Sequence, residues 1–204
     1  MTSPELLAPA VLRVSIGDAV KRSFDIVFAC AALVVLSPLL AVLGVMIRLD
    51  SPGRAVYVQE RVGRGGRPFR MLKFRTMGAD AEINGPVWPL AADPRRTRAG
   101  RWMRRYWLDE LPQLWNVLVG DMSLVGPRPE RPLFVERFRN TYPDYDLRHC
   151  IRGGMTGWAQ VNGFRGDTAI DRRLAYDLHY IRTRSLAVDA RIILLTFGEA
   201  LRAV

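Results

Sequence analysis

The sequence contains few lysines, cysteines and histidines. Lysine and arginine together number 30, yet only Lys21 and Lys73 are lysines, and the 204 residues include two cysteines and two histidines. Cys30 lies inside an apolar run, so we do not expect it to form a disulfide with Cys150. So few cysteines and histidines also make a zinc site improbable. The chemistry must therefore come from carboxylates, arginines and a hard cation.

The charge balance is strongly positive. Against the 30 basic residues stand 20 acidic ones, which gives a formal net charge of +10, while 49% of the residues are hydrophobic. This composition excludes a disordered chain and a polytopic transporter. A positive field suits nucleic acid, an anionic membrane surface or a polyphosphate substrate. Arginine adds planar, bidentate recognition of phosphate.

One long apolar run lies near the N-terminus. No charged residue occurs from 26 to 47, which is about the length that crosses a hydrocarbon core as a helix. The run is too long for a signal peptide. Ser37 and Pro38 fall at its middle, where the proline removes a backbone donor and is expected to kink the helix. The serine hydroxyl can bond to a carbonyl one turn earlier.

Both ends of the apolar run carry positive charge. Lys21 and Arg22 flank one end, and Arg48, Arg54 and Arg61 follow the other. The positive-inside rule would hold both ends on the cytoplasmic side, which favours a re-entrant hairpin. Length alone favours a spanning helix. The residues leave both possibilities open.

Downstream, the pattern predicts a mostly helical α+β domain. Two alternating runs, AVYVQERVG and RPFRMLKFRTM, separated by glycines, predict a β-hairpin. Asp, Pro and Gly predict a loop over 79–97, and helices are expected over 131–142, 168–183 and 189–204, the last one amphipathic.

Asp109 and Glu110 are the strongest candidates for chemistry. An acidic pair at a helix start is usually explained by capping. Here, however, arginines that could clamp a phosphate flank it on both sides. They are Arg101, Arg104, Arg105 and Arg128. An ionised aspartate can attack a phosphorus atom when cations neutralise the phosphoryl oxygens. A second carboxylate suits the binding of magnesium.

Lys73 and Arg75 alternate with Phe74 on a predicted strand and therefore share one face. That face is either simply solvated or carries two more phosphate ligands.

Several long motifs in order resemble the bacterial sugar transferase family, the monotopic polyprenol-phosphate phosphoglycosyl transferases. They are KRSFDIVFA, the SP pair, VQERVGRGGRPFRMLKFRTM, LDELPQLWNVLVGDMSLVGPRPE, TGWAQVNGFRGDT and YDLHYI. The resemblance covers roughly residues 20–204. It departs from the family at Trp107, where small residues are more usual, and at Gly153-Gly154-Met155, where a proline-containing turn is more usual.

The resemblance implies a membrane arrangement. The apolar helix would be re-entrant, broken at Ser37 and Pro38, in the bacterial inner membrane. Residues 1–19 would be a flexible leader, 20–48 the membrane helix and 49–204 a catalytic domain facing the cytoplasm, with interfacial amphipathic helices.

The resemblance also implies a reaction. Asp109 would attack the β-phosphate of a UDP-sugar, release UMP and hold a covalent sugar phosphate. Polyprenol (undecaprenyl) phosphate would accept that group, which begins exopolysaccharide, O-antigen or glycan synthesis. UDP-glucose or UDP-galactose is the favoured donor, and Glu110 would bind Mg²⁺ with Asp109. The implied substrate contacts are Lys73, Arg75, Arg101, Arg104 and Arg128.

Two alternatives remain at the level of sequence. Within the same class, the transfer could be direct, without a covalent intermediate. From another class, the chain could be a membrane-tethered module that binds nucleic acid or anionic lipid. Under the favoured reading no nucleic acid is expected as a partner, membrane lipids are, and a homo-oligomer is left open.

Overall fold

The fold is a mixed helical and β body attached to one long helix. A computed structural model describes residues 16–78, 80–83, 85, 93–166 and 168–202. Most of the predicted leader and residues 79, 84 and 86–92 of the predicted loop lie outside the described part.

The elements follow one another in a mixed order. The strands are β1 (Val56–Val62), β2 (Pro68–Phe74), β3 (Met122–Val125) and β4 (Gly153–Thr156). The α-helices are α1 (Ile16–Asp50), α2 (Arg98–Arg105), α3 (Gln113–Val119), α4 (Pro132–Thr141), α5 (Trp158–Val161), α6 (Ile170–Thr183) and α7 (Leu186–Arg202). Short 3₁₀ turns occupy Arg64–Gly66, Leu108–Glu110 and Tyr145–Cys150. The helices predicted over 131–142, 168–183 and 189–204 are confirmed as α4, α6 and α7.

Helix α1 contains the whole apolar run. It begins at Ile16, within the span predicted as leader, and continues as one 35-residue helix with Pro38 inside it. The Ser37 hydroxyl donates to the Val34 carbonyl at 2.8 Å, as expected beside a proline. Within the described chain, α1 is long and apolar enough to cross a membrane, and only 11% of its most apolar window is buried. A core helix of a soluble protein would be mostly buried.

The N-terminal end of α1 is bound tightly to the body. Asp25 is 2% exposed, and its carboxylate accepts hydrogen bonds from the Ser123 hydroxyl (2.8 Å) and the Leu124 amide (3.2 Å) on β3. Arg22 donates to the last carbonyls of α3, which satisfies a helix end that has no partners of its own. The charged flank of the apolar run is therefore part of the body.

The C-terminal end of α1 packs on the same body. Leu43 and Ile47 are each 2% exposed and form a cluster with Phe74, Ala99 and Met103. Both ends of the helix thus supply core residues.

The predicted β-hairpin is confirmed. Strands β1 and β2 are antiparallel and in register from Val56 opposite Phe74 to Val62 opposite Pro68. The turn between them uses Gly65 (φ 68°) at a left-handed position, where glycine has no steric cost.

The structure contains a second small sheet that the sequence did not predict. Strands β3 and β4 pair in parallel, with Met122 opposite Gly153 and Val125 opposite Thr156. A Cβ added at Gly154 would stand 2.1 Å from the Gly126 backbone nitrogen, so the close approach of these segments requires glycine. Gly153-Gly154-Met155, where the sequence departs from the more usual proline-containing turn, lies in strand β4.

Asp25→Ala should destabilise the body by about 3 kcal/mol, because it leaves the Ser123 hydroxyl and the Leu124 amide buried without an acceptor. The measurement is thermal and chemical unfolding of the detergent-solubilised protein. Asp171→Ala, at an exposed position in the first turn of α6, is the control and should change stability by no more than about 1 kcal/mol. Equal effects of the two changes would mean that α1 is not held to β3 through Asp25.

Candidate active site

A cationic cleft of about 440 Å³ opens between the hairpin, the Leu108–Glu110 turn and the segment that follows β3. Among the described residues, ten arginine or lysine side chains and four carboxylates line it. The volume lies within the range of small-molecule sites, and the excess of positive charge suits a polyanionic ligand.

An unusual backbone conformation places the acidic pair in this cleft. Trp107 has φ 54°, in the left-handed region, and directly precedes the Leu108–Glu110 turn. A bulky residue there is a true outlier that costs roughly 1–3 kcal/mol and must be held by its surroundings. Helix α2 ends here, and the chain turns so that Asp109, 7% exposed, and Glu110 both line the cleft.

Glu110 is neutralised by a bidentate arginine. Nη2 of Arg128 donates to Oε1 at 2.5 Å and Nη1 to Oε2 at 3.2 Å. Burial alone would raise the pKa of Glu110, but the charge and hydrogen bonds of Arg128 outweigh burial and hold this pKa below its usual value.

Asp109 has the opposite electrostatic character. Burial, followed by the negative charge of Glu110, raises the pKa of Asp109 to about 6, and Arg104, Lys73 and Arg128 offset this only in part. Two adjacent carboxylates with pKa values moved apart are typical of sites in which the two have different roles.

Lys73, on β2, lines the same cleft as the acidic pair. Its ammonium donates to Oε1 of Gln59 at 3.2 Å and stands 5.2 Å from the centre of the Tyr57 ring. Burial, then the charges of neighbouring arginines, lowers the pKa of Lys73 to about 7. A bound polyphosphate would favour its charged form.

The other predicted contacts fall into different places. Arg104 lines the cleft, and its Nε donates to the Thr76 hydroxyl at 2.9 Å. Arg101 is exposed, does not line the cleft, and donates to the Arg96 carbonyl, so the structure does not bring it to the acidic pair.

Arg75 also lines the cleft, but its guanidinium is already engaged. It donates to the carbonyls of Ser51 and Pro52 and to the Ser51 hydroxyl, in the turn after α1. Its hydrogen bonds therefore fix the end of α1 against β2.

Sequence reasoning missed several residues of the cleft. Glu82 accepts two hydrogen bonds from Arg131 (2.8 and 3.2 Å) and one from the Tyr57 hydroxyl (2.7 Å). Tyr57 belongs to a β1 face shared with Gln59 and Arg61, which period-two alternation could have revealed. Nothing local marks Glu82, because it lies within the irregular segment.

A buried ion network stands beside the acidic pair and was also missed. Glu130, 6% exposed, binds Arg173 at 2.7 Å and Arg61 at 3.4 Å. Its members come from β1, α6 and the segment between β3 and α4, so no single stretch of sequence contains the pattern.

Within the described chain, no group of three or more acidic, histidine or cysteine side chains is arranged to hold a metal. Asp109 and Glu110 offer two adjacent carboxylates beside the cleft arginines Arg104 and Arg128. This donor set fits Mg²⁺, which binds through one or two carboxylates and takes other ligands from water and substrate phosphate.

The chain belongs to the bacterial sugar transferase family, whose sequence model matches residues 16–203. It is 44% identical over 184 residues to a UDP-N-acetylgalactosamine-undecaprenyl-phosphate N-acetylgalactosaminephosphotransferase of Aeromonas hydrophila, covering 89% of this chain and 44% of that one. It is 42% identical over 180 residues to the UDP-glucose:undecaprenyl-phosphate glucose-1-phosphate transferase of Escherichia coli (86% and 39% covered). A protein of the same name from Caulobacter vibrioides is 43% identical over 188 residues (90% and 70% covered). The chain thus spans about two fifths of the length of the first two relatives.

The opposite pKa shifts predict opposite effects on stability. The pKa of Asp109 is raised to about 6 in the folded protein, whereas an aspartate in the unfolded chain has a pKa of about 3.9. The charge of Asp109 therefore disfavours the folded state at every pH above about 3.9. Asp109→Asn should therefore stabilise the protein at pH 7 by about 1–3 kcal/mol. The gain should shrink as pH falls from 6 to below 4.

Glu110→Gln is the matched comparison and should destabilise at pH 7, because it leaves the half-buried Arg128 without its partner charge. Unfolding temperatures measured between pH 3.5 and 8 check both. Two shifts of the same sign at pH 7 would contradict the proposed split of the acidic pair.

Proposed function

We propose that this chain transfers a sugar 1-phosphate from a UDP-sugar to undecaprenyl phosphate and releases UMP. The observation that carries the proposal is an acidic pair with separated pKa values inside a cationic cleft. The names of the relatives support both the sugar phosphate and the undecaprenyl phosphate acceptor. UDP-glucose and UDP-galactose are the favoured donors, and the Aeromonas relative adds UDP-N-acetylgalactosamine as a candidate.

In the first step, a carboxylate oxygen of Asp109 forms a bond to the β-phosphorus of the donor. The bond from that phosphorus to the bridging oxygen breaks, and its electron pair leaves with UMP. Arg128, Arg104 and Lys73 line the same cleft and would neutralise the phosphoryl oxygens. With a pKa of about 6, Asp109 is mostly ionised at neutral pH and remains a better base than an ordinary aspartate.

In the second step, a phosphate oxygen of undecaprenyl phosphate attacks the same phosphorus. The bond from phosphorus to the Asp109 oxygen breaks, which restores the carboxylate and gives the undecaprenyl diphosphate sugar. When bound, Mg²⁺ held by Asp109 and Glu110 would supply further neutralisation of phosphate charge. Glu110 would then share its oxygens between the ion and Arg128.

We also propose that α1 is re-entrant, with the body on the cytoplasmic face of the inner membrane. A straight helix would separate Asp25 from Ile47 by about 33 Å, roughly the thickness of the hydrocarbon core. Yet Asp25 bonds to β3, and Ile47 packs with Phe74 and Met103 of the same body. A body on one side of a bilayer cannot contact both ends of a straight spanning helix. Pro38 supplies the position for a bend.

The reaction predicts UMP release by detergent-solubilised protein given undecaprenyl phosphate, Mg²⁺ and a panel of UDP-sugars. Asp109→Asn should lower the rate by about 10⁴-fold or more, because it removes the attacking oxygen's charge. Arg101→Ala, outside the cleft, is the control and should retain the rate. Without acceptor, the wild-type protein should gain the mass of one sugar phosphate.

Each other outcome has a distinct meaning. Rapid turnover without a trapped sugar phosphate would favour direct transfer, and release that survives in Asp109→Asn would displace Asp109 as nucleophile. No release with any donor by folded protein would reject the proposed function. Binding that weakens steeply with salt would then favour a membrane-tethered module for nucleic acid or anionic lipid.

The membrane arrangement is tested with single cysteines, in a variant whose Cys30 and Cys150 are replaced, placed at Asp18 and at Arg54. In inside-out vesicles, a membrane-impermeant maleimide should label both positions, and in right-side-out vesicles neither. Labelling of the two positions in opposite vesicle orientations would establish a spanning helix instead.

A further inference from the structure

Two buried glutamines in the cleft each have an unpaired polar atom. Gln113 is 1% exposed and Gln160 is 4% exposed, and both line the cleft. Within the described chain, Nε2 of Gln113 and Oε1 of Gln160 have no hydrogen-bond partner. The great majority of buried polar groups are paired, so two uncharged exceptions in one ligand cleft point to a ligand that pairs them.

The orientation of the Gln160 amide is fixed by its other bond. Its Nε2 donates to the Met155 carbonyl at 3.1 Å, and a carbonyl oxygen can only accept. The remaining atom, Oε1, is therefore an acceptor. Gln113 offers the complementary group, a donor. A hydroxyl group both donates and accepts, so it can satisfy either atom.

An aromatic wall adjoins Gln160. The Arg165 guanidinium stands 4.3 Å from the centre of the Trp107 ring, and its Nε donates to the Gln160 carbonyl at 3.1 Å. Its Nη2 binds Glu199 of α7 at 2.8 Å. Trp107, Arg165 and Gln160 are thus one connected group, which joins the turn of the acidic pair to α5 and α7.

The chemistry of the proposed reaction indicates which part of the donor lies near Trp107, Arg165 and Gln160. The sugar is attached through oxygen to the phosphorus that Asp109 attacks, so it must lie within a few ångströms of that carboxylate. Trp107 precedes Asp109 by two residues and Gln113 follows it by four. The lining cations named above for the phosphates are Lys73, Arg104 and Arg128, which leaves the two unpaired amides and the indole for an uncharged group.

We infer that Gln113, Gln160, Trp107 and Arg165 form the subsite that binds the sugar of the donor, with the two amides reading its ring hydroxyls. This inference rests on the proposed function. It assigns donor selectivity to residues other than the proposed diphosphate contacts Lys73, Arg104 and Arg128. Arg165 covers one face of the Trp107 indole, so the sugar ring would lie against the other face, which is flat and partly apolar.

The test is a double-mutant cycle in which one change is made in the protein and the other in the substrate. Initial rates of UMP release are measured with the preferred UDP-hexose and its monodeoxy analogues, for wild type, Gln113→Met and Gln160→Met. Methionine is unbranched, near in size to glutamine, and lacks the amide. In wild type, loss of the hydroxyl that a glutamine reads should lower kcat/KM by about 10- to 100-fold. In the matching variant, the same loss should change kcat/KM by no more than about twofold, because the contact is already gone.

Two controls separate recognition from structure. Asn162→Ala, an exposed residue outside the cleft lining that makes a similar bond to the Trp158 carbonyl, should keep the wild-type response to every analogue. The inhibition constant of UMP, which lacks the sugar, should be unchanged in both glutamine variants. Thermal unfolding shows whether each variant is folded. The two glutamines lie on different helices, so if one variant does not fold, the other still allows the cycle to be measured.

The possible results are distinguishable. Coupling between one hydroxyl and Gln113 or Gln160, with UMP inhibition intact, supports the subsite. Additive losses for every analogue, or weakened UMP inhibition equal to the loss in kcat/KM, would overturn it while leaving the proposed function standing. A wild-type protein that releases UMP from no UDP-sugar would reject the proposed function, and the subsite with it.

Discussion

The bidentate contact between Glu110 and Arg128 is the constraint on which the site depends. Because Arg128 stabilises the charge of Glu110, that carboxylate stays ionised, and its charge contributes to the raised pKa of the neighbouring Asp109. Without the arginine, the two carboxylates would compete for one proton and neither would have a defined role. A single contact therefore separates two chemically similar groups.

The backbone of Arg128 is held in place by a buried ion pair. Its backbone carbonyl accepts a hydrogen bond from Arg148 at 2.9 Å, and Arg148 is paired with Asp177 at 2.7 Å in a fully buried position. Buried ion pairs are poor sources of stability, because desolvation offsets most of the attraction. Their value here is geometric, since they fix the Arg128 segment to α6 and so preorganise the cleft. The same reasoning applies to Glu130 with its two arginines.

The sequence predicted features that depend on local pattern. The hairpin follows from alternation and glycines, and Asp109, Glu110, Lys73, Arg104 and Arg128 meet in one cleft as nominated. Features that depend on distant pairing were not predictable. Strands β3 and β4 are four residues each and lie about thirty residues apart, so neither gives a periodic signal.

Two nominated arginines, Arg75 and Arg101, lie in surroundings that residue type alone did not predict. Arg75 and Arg101 have the same chemistry as Arg128, but one is bonded to the turn after α1 and the other is exposed. The two glutamines are the opposite case, because the sequence did not nominate them and the structure places them in the cleft. In sequence Gln113 and Gln160 look like neutral helix residues, and only their burial without a partner singles them out.

The apolar helix is a structural part of the body and cannot be regarded as a simple tether. Ala29 of α1 belongs to the same buried cluster as Val117 and Met122, and Leu43 and Ile47 complete a second one. During synthesis α1 precedes every other described element, so the body would fold against a helix already in place. A variant made by deleting residues 16–50 would thus expose the parts of both clusters that α1 covers. Solubilisation would have to replace the outward face of the helix and keep its inward one.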